Sequence, residues 1–424
     1  GEGLFSYLDG MFAIALWDEK SEILLLARDV AGEKPLHYSI IESGSGIIFA
    51  SEIKAFHKFD GLDLSLDKQS IWDFPTFLWI PEPATIFNEI KSLPRGHFIK
   101  VKDKCISIQK YECLVGSHLS NEIVHSDLIS CIRSVVDDAI LSRLLSDVPI
   151  GSFLSGGLDS SIIATIAKQN LGSLDTFSVG FESLSDPYHG SSDESLDASS
   201  YAARIGAKHH TIHVTSKFFR DLLDDFCYFG DQPFAVSSGL GVLAISRAAK
   251  REGIKVLLSG DCADECFGGY SWYSLLSKAS SSQISLYQDE IISYQNFGLP
   301  EAERLSVLAT YTSHQRAWAW HYYAHEHEKS CIFDTEWQHG LNSSLRHFSS
   351  FSDAMDWKPI QFIAQDRDFY LPNEMLRKVD RMTMASSIEG RVPFAAPSVL
   401  RLAERIDYSQ MIQGSTLKWT LREA

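Results

Sequence analysis

The sequence predicts an α/β protein: a β-rich α+β part first, then a doubly wound parallel sheet with a helical C-terminal part. Three observations predict it. Through roughly the first 110 residues, short apolar runs alternate with Asp, Gly, Ser and Pro turns. From Asp127 onward, short apolar strands alternate with helical stretches of ~10–15 residues, the pattern of parallel strands joined by crossovers. Two of those strands run straight into Ser-Gly turns, in "SGGLDSS" and "LSGDCADECFGGY".

The elements follow in order. In the first part "MFAIALWD", "EILLLARD" and "GIIFASE" read as strands, and "IPEPAT" and "LPRGHFIKV" add Pro-Gly turns and one more short strand. Residues 114–126, "LVGSHLSNEIVHS", have weak periodicity and turn-prone residues, so a linker is expected there, dividing 1–113 from 127–424. "DLISCIRSVVDDAILSRL" then carries apolar residues at helical spacing. "DVPIGSFL" reads as a strand, "SGGLDS" as a loop and "SIIATIAKQN" as a helix. "DTFSVGF", "HHTIHV" and "IKVLLSG" are the next strands; "DASSYAARIGAKH" and "LGVLAISRAAKREG" are the helices between them. The Ser-rich stretch Glu182 to Asp197 reads as a mobile surface loop. Beyond Tyr270 the chain is rich in Trp, Tyr and His and reads as mostly helical.

At 424 residues the chain can hold two or three domains. No run approaches the ~18–20 apolar residues of a membrane span. A net charge of -17 argues against a sequence-independent nucleic-acid binder or an anionic-membrane binder. Seven scattered cysteines, without framework spacing, read as reduced thiols of a cytoplasmic protein. Cys262 and Cys266 sit four apart, but no further ligands stand at zinc-site spacing. "KHHTIHV" (Lys208 to Val214) and the pair His321 and His325 read as surface or packed histidines, the pair not being HExxH. The opening "GEGLFSYLDG" is not a signal peptide. With no initiator Met, and an end at "TLREA" inside a helical pattern, a piece of a longer protein is expected.

Ligands of open parallel sheets sit outside the carboxyl ends of the strands, where "SGGLDSS" falls. Its glycine amides can approach an anion, and the helix start adds unpaired N–H groups and a positive dipole end. GxxxxGK[ST] and GxSxG are both absent, so neither an ATPase-type loop nor a nucleophile elbow is present. The loop holds an acid, Asp159, and no Lys. The second strand end adds Asp261, Asp264 and Glu265. Acids beside phosphates are tolerable where Mg²⁺ lies between them, so Asp159 reads as a metal ligand. Helix capping is the competing reading of Asp261 and Asp264.

"SGGLDSS" resembles the pyrophosphate loop of the N-type ATP pyrophosphatases. With "LSGDCADECFGGY", "DRMTMASSIEGRVPF" and "KWTLREA", the chain resembles the glutamine-dependent asparagine synthetases. "LDGMFAIALWD", "LLLARDVAGEKPLHY", "FASEIKAF" and "IKSLPRGHF" resemble the later half of that family's glutaminase domain. The motifs stand in one order over nearly the whole chain. The resemblance implies the later half of an N-terminal-nucleophile-type amidotransferase domain at 1–113 and an ATP-pyrophosphatase synthetase domain at 127–424. In that family an N-terminal Cys hydrolyses glutamine and ammonia travels through an internal tunnel. ATP adenylates the acceptor carboxylate, and ammonia converts the acyl-adenylate to an amide and AMP.

Carried over by position, the resemblance makes Leu154, Val179, Ser259 and Gly260 contacts of ATP or its AMP part. It makes Ser155, Gly156, Gly157, Asp159 and Ser160 the pyrophosphate loop, with Asp159 and Asp264 toward Mg²⁺. Asp261 stands where the family has an acid near the adenylate carbonyl, and Lys418 where it has a catalytic cation. "LKWTLREA" places Lys418 on an amphipathic helix held by Leu417 and Leu421, with Arg381 and Arg391 the next candidate cations. ATP and Mg²⁺ are the implied cofactors. The implied partners are small molecules (aspartate or another carboxylate, ATP, and glutamine or ammonia), with room for a homodimer and none for nucleic acid or membrane.

Two departures stand out. The Cys nucleophile and the early segments that hold glutamine have no counterpart in the sequence, so ammonia is the expected nitrogen source for this chain. "EGRVPFAAP" replaces the usual apolar-acid pair after the Phe, which leaves the acceptor open between aspartate and another carboxylate, such as a sugar uronate. A nonenzymatic nucleotide-binding paralogue is the rival of a different class; intact Asp159, Asp261 and Lys418 count against it.

Overall fold

The strands of the first part pair antiparallel in two sheets. They are β1 (Ala13–Asp18), β2 (Ile23–Arg28), β3 (His37–Ile40), β4 (Ile47–Ala50), β5 (Lys91–Ser92), β6 (His97–Lys102) and β7 (Cys105–Lys110). One sheet has the order β1-β2-β6-β7 and the other β4-β3-β5. The protein is seen as a computed structural model that describes residues 1–41, 46–117, 125–181, 194–273, 324, 326–348 and 359–424. The run "LLLA" of β2 is apolar throughout because both faces of its strand are covered. Leu25 and Ala27 pack with Phe5, Phe98 and Tyr111, while Leu26 packs with Leu36, Leu93 and Ile99 of the other core. β3, β5 and β7 are additions to the strands read from the sequence. So is α1 (Lys68–Phe77), whose start is capped by the Asp67 side chain accepting from the Gln69 amide.

The second part is built on β8 (Ile150–Phe153), β9 (Asp175–Phe181), β10 (Lys208–Val214), β11 (Val256–Leu258) and β12 (Glu389–Arg391). All neighbours are parallel, in the order β10-β9-β8-β11-β12. The doubly wound sheet expected from the alternation is therefore present. Its helices include α2 (His125–Ser142), α3 (Leu158–Leu171), α4 (Ser195–Ile205), α5 (Ser216–Arg220), α6 (Leu223–Gly230) and α7 (Ser238–Arg251). From β8 the chain crosses outward to β9 and β10, then returns to place β11 on the other side of β8. The order thus reverses between β8 and β11, and the crevice of such a switch point lies outside their carboxyl ends. Ile132, Ile140, Ile163, Ala167, Leu258 and Phe267 are among the buried side chains of the largest core.

The two halves meet along α9 (Arg377–Met384), which follows α8 (Ala263–Phe267) in the numbering used here. A π-helical stretch, Asp366–Leu376, leads into α9 and contains Pro372; a wider turn accommodates a residue without an N–H. Lys34 of the first part donates to Asp380 of α9 at 2.8 Å. Arg381 donates to the Ser51 carbonyl at 2.6 Å and lies 3.4 Å from Asp231. Buried Glu33 faces Arg143, just beyond α2, at 3.7 Å. Burial pushes the Glu33 carboxyl up to about 7, against the pull of Arg143 and with the help of the Asp29 charge.

Some expectations move. α3 begins at Leu158, so Asp159 and Ser160 occupy its first turn rather than a loop. Within the Ser-rich stretch, 182–193 lie outside the described residues, and Ser195 to Asp197 open α4 instead of continuing a loop. His321 and His325 lie outside the described residues, as do 118–124 of the expected linker. Among the described residues no helix is long and apolar enough to cross a membrane.

Candidate active site

The segment after β8 is a folded cradle. The Leu154 amide donates to the Phe177 carbonyl at 2.9 Å, keeping the chain in the sheet to its last residue. Gly156 then turns it with φ +82°, a conformation in which side chains are strained. A Cβ there would also lie 2.9 Å from the backbone of Asp197 and Ala198 at the start of α4. Ser160 Oγ accepts from the Ser155 amide at 3.2 Å, and the Gly157 amide donates to Ser155 Oγ at 3.2 Å. These bonds set the turn before any ligand arrives. Gly157 is the N-cap of α3, and no side chain caps that helix, leaving its positive end to a ligand.

The segment after β11 lies against this cradle. A Cβ on Gly260 would stand 3.2 Å from both Asp159 Cβ and the Ser160 amide nitrogen, so the close approach of the two segments favours glycine. The Ser259 amide donates to the Arg391 carbonyl at 2.9 Å, and the Ser259 hydroxyl donates to Asp261 Oδ2. Asp264 lies in the short helix α8. Val179 sits two residues from the carboxyl end of β9, partly buried, beside the β8 end.

Lys418 joins the two segments. Its Nζ contacts Asp159 Oδ2 and lies 2.7 Å from Asp264 Oδ1. The expectation of a helical Lys418 is corrected. It is the N-cap of α10 (Trp419–Glu423), with a left-handed backbone of φ 52° and ψ 39°. The helix held against the core by Leu421 begins one residue later, and the turn at Lys418 directs its chain into the site. Cys262 in the β11 segment is likewise left-handed, at φ 77°. Non-glycine residues in this region are strained by ~1–3 kcal/mol, and such strain gathers at functional sites. Gly269 completes the fit, because a Cβ there would lie 1.9 Å from Asp264 Oδ1 and 2.0 Å from Lys418 Cε.

One ammonium between two carboxylates leaves the group a unit negative. Burial pushes the Asp159 carboxyl up to about 6, opposed by Lys418 and reinforced by the charge of Asp264. Burial also works against the Lys418 ammonium, but Asp159 and Asp264 outweigh it and hold it above the ordinary lysine value. Asp159 Oδ1 is buried with no hydrogen-bond partner. The donor set of hard oxygens, the surplus negative charge and the orphaned oxygen fit a divalent cation of the Mg²⁺ kind.

A second cation escaped the sequence reading. Lys378 of α9 is 6 % exposed, and its Nζ donates to Asp261 Oδ1 at 3.2 Å. Its signal is faint: "LRKVDRM" is dense in charge, which reads as a solvated helix face. Arg381 and Arg391, the fallback cations, are bonded elsewhere. Arg391 donates to Glu389 at 2.6 Å and to the Arg143 and Leu145 carbonyls; Arg381 serves the interface already described. Glu265 is fully buried, accepts from the Tyr270 hydroxyl at 2.9 Å, and is held well above the carboxylate range by burial.

Another cluster lies apart from this chemistry. Asp175, His210 and Glu252 form a compact group at the amino ends of β9 and β10, opposite the crevice. Lys208 already fills it, 2.9 Å from Glu252 and 3.3 Å from Asp175. Neighbouring His209 lies within hydrogen-bond distance of Thr176 and Ser178, as a packed histidine does. All seven cysteines are free; the Cys262 and Cys266 sulfurs are buried 3.5 Å apart.

The family models agree with the motif order. The asparagine synthase family matches residues 131–424, and the glutamine amidotransferase domain matches 1–112. Asparagine synthetase [glutamine-hydrolyzing] 1 of Bacillus subtilis (strain 168) is 30% identical over 426 residues, covering 99% of this chain and 65% of the relative. Asparagine synthetase [glutamine-hydrolyzing] 3 of the same organism is 28% identical over 440 residues, covering 100% of this chain and 65% of the relative. Amidase chyE of Penicillium rubens is 28% identical over 328 residues, 73% of this chain and 46% of that protein. The chain thus spans about 65% of the length of these two synthetases. With the synthetase match running from residue 131 to the last residue, and with the crevice built from the residues its motifs point to, the chain belongs to the asparagine synthase family.

Proposed function

We propose that the chain amidates aspartate to asparagine in an ATP-dependent reaction through a β-aspartyl-AMP intermediate, in a synthetase domain at 127–424 beside an amidotransferase part at 1–113. The observation that carries this reading is the meeting of the β8 and β11 segments around Lys418, Asp159 and Asp264. In the first step a carboxylate oxygen of the acceptor attacks the α-phosphorus of ATP and pyrophosphate leaves. Ser155, Gly156, Gly157 and Ser160, with the start of α3, receive the pyrophosphate. Leu154, Val179, Ser259 and Gly260 line the nucleotide. Lys418 stabilises the charge that builds on the phosphates, a preorganised contact of a type commonly contributing ~3–4 kcal/mol.

Asp159 and Asp264 would hold Mg²⁺, which when bound neutralises phosphate charge beside the two acids. In the second step ammonia attacks the acyl carbon and AMP leaves. Asp261 is placed to accept a proton. At the departure "FAAP", Phe394, Ala395 and Ala396 are buried in the main core; aspartate is the first choice of acceptor because the motifs are those of the asparagine-forming family. The Penicillium relative is named an amidase rather than an asparagine synthetase, which keeps a different carboxylate as the second.

The test is pyrophosphate exchange and AMP release with ammonium across a panel of carboxylic acids. Aspartate-dependent exchange is expected. Exchange with a uronate while aspartate is silent moves the assignment to the second acceptor, and exchange with no acid overturns the enzyme reading. Glutamine-dependent AMP release by this chain would refute ammonia as its nitrogen source.

A further inference from the structure

Lys378 is the buried cation of the crevice to which neither the motifs nor the proposed adenylation step gives a task. It is 6 % exposed. Its Nζ has one oxygen partner, Asp261 Oδ1 at 3.2 Å, and one weak sulfur partner, Met375 Sδ at 3.5 Å. The other oxygen of Asp261 accepts the Ser259 hydroxyl. The carboxylate is therefore gripped at both oxygens, one by a neutral donor from its own segment and one by a cation from α9. Two grips fix the plane of a carboxylate as well as its position; one grip leaves it free to rotate. The neighbouring charges of α9 are engaged with the other half of the chain, Asp380 with Lys34 and Arg381 with Ser51. Only Lys378 of these charged neighbours reaches the β11 segment.

We infer that Lys378 is a positioning residue for the amide-forming half-reaction, acting through Asp261, and not part of the adenylation machinery. The inference rests on the proposed function. In that half-reaction the ammonia nitrogen forms a bond to the acyl carbon, the acyl C–O bond to AMP breaks, and AMP leaves with the electron pair. The nitrogen gives up one proton, which Asp261 takes up and passes to water. A base works only within hydrogen-bond reach and at the right angle to that proton. Each Asp261 oxygen keeps a second lone pair beyond its present partner, so a carboxylate held by Ser259 and Lys378 can still accept a proton. Adenylation depends instead on Lys418, Asp159 and Asp264, none of which Lys378 contacts.

The two half-reactions can be read separately. In Lys378→Met, acceptor-dependent ATP–pyrophosphate exchange should stay within about threefold of the unchanged chain. Amide formation from ammonium should fall by ~10²-fold, the lower end of what a lost general base costs. Lys378→Arg, which keeps the charge, should recover part of the loss. Adding Lys378→Met to Asp261→Asn should cost little more, since both act on one group. Parallel loss of exchange and amide formation in Lys378→Met, or unchanged amide formation, would overturn the inference. So would equal loss in Lys378→Arg and Lys378→Met when thermal melts show both folded. If Lys378→Met does not fold, Lys378→Arg decides: lost exchange refutes the assignment, and selective loss of amide formation upholds it. An unchanged chain without exchange on any acid refutes the proposed function first.

Discussion

The segments after β8 and β11 face each other across one crevice and are built on opposite principles. Asp159 aside, the β8 segment offers a ligand a shaped backbone: a left-handed Gly156, a turn fixed by its own hydroxyls, and an uncapped helix start. The β11 segment is made of side chains: Asp261 and Asp264, each held by a lysine arriving from far along the chain. A phosphate is recognised by its shape and its three or more oxygens, which suits fixed amides. A reacting carbonyl needs single groups aimed at single atoms, which suits carboxylates and ammonium groups whose positions are set by partners. The contrast predicts that damage to the backbone turn of the first segment acts through stability and damage to the side chains of the second through rate.

The largest effect should come from the residue that bridges both. Lys418→Met is expected to lower aspartate-dependent pyrophosphate exchange by ~10²–10³-fold while nucleotide binding persists. Exchange rates and equilibrium ATP binding check it, and near-normal exchange breaks the assignment.

Gly269→Ala is the sharper probe of the second segment. The atoms nearest its new Cβ are the ends of two side chains, Asp264 and Lys418. Exchange should fall ~10-fold or more as the ammonium is displaced, with a melting temperature close to that of the unchanged chain. A protein that loses stability and keeps its rate would contradict the contrast.

Gly156→Ala reverses the pattern. The new Cβ meets backbone atoms of α4, and the residue must hold φ +82°. A loss of ~1–3 kcal/mol in denaturant unfolding is expected. Stability unchanged by this substitution would mean that the turn relaxes freely.

The smallest effect lies outside both segments and acts as a control. Glu33 has its carboxyl raised by burial to about 7. Its contribution to stability is full below the ordinary glutamate value and is lost as pH rises through 7. His37 runs the other way. Burial, with the nearby Arg381, Arg377 and Arg28 charges, pulls its imidazole well below the ordinary value. Its contribution is present above pH ~6.5 and is lost as pH falls. Glu33→Gln removes only the first trend, so its stability relative to the unchanged chain should improve by about 1–2 kcal/mol between pH 5 and pH 8. Melts at those two pH values measure it; a pH-independent difference rules Glu33 out.

What could be read from the residues follows the same division. Glycines, alternating strands and helices, and acids beside Ser-Gly turns are local signals, and the parallel sheet with both crevice segments came from them. β3, "HYSI", carries few distinguishing residues, while β7, "CISIQK", alternates like a strand but is short; both pair with antiparallel neighbours. Lys378 was hidden for a different reason. A charged stretch normally faces water, but here the first half of the chain covers α9 and pairs its charges. The motif singles out Lys418, which the fold brings between Asp159 and Asp264, while periodicity misplaces it on a helix. Leu417 and Leu421 are at helical spacing, yet the helix starts after the lysine.

The contact between Lys418 and Asp159 spans 259 positions of sequence. During synthesis the ribosome therefore releases both acids, Asp159 and Asp264, long before it releases the cation that lies between them. Such long-range closure is slow compared with the local turns around Gly156. A nascent chain can finish the β8 cradle while its acids still repel a nucleotide's phosphates. Under the proposed function, competence for ATP then waits on the segment that carries Lys418, so proteolytic clipping after Met411 would leave Asp159 and Asp264 without the cation between them.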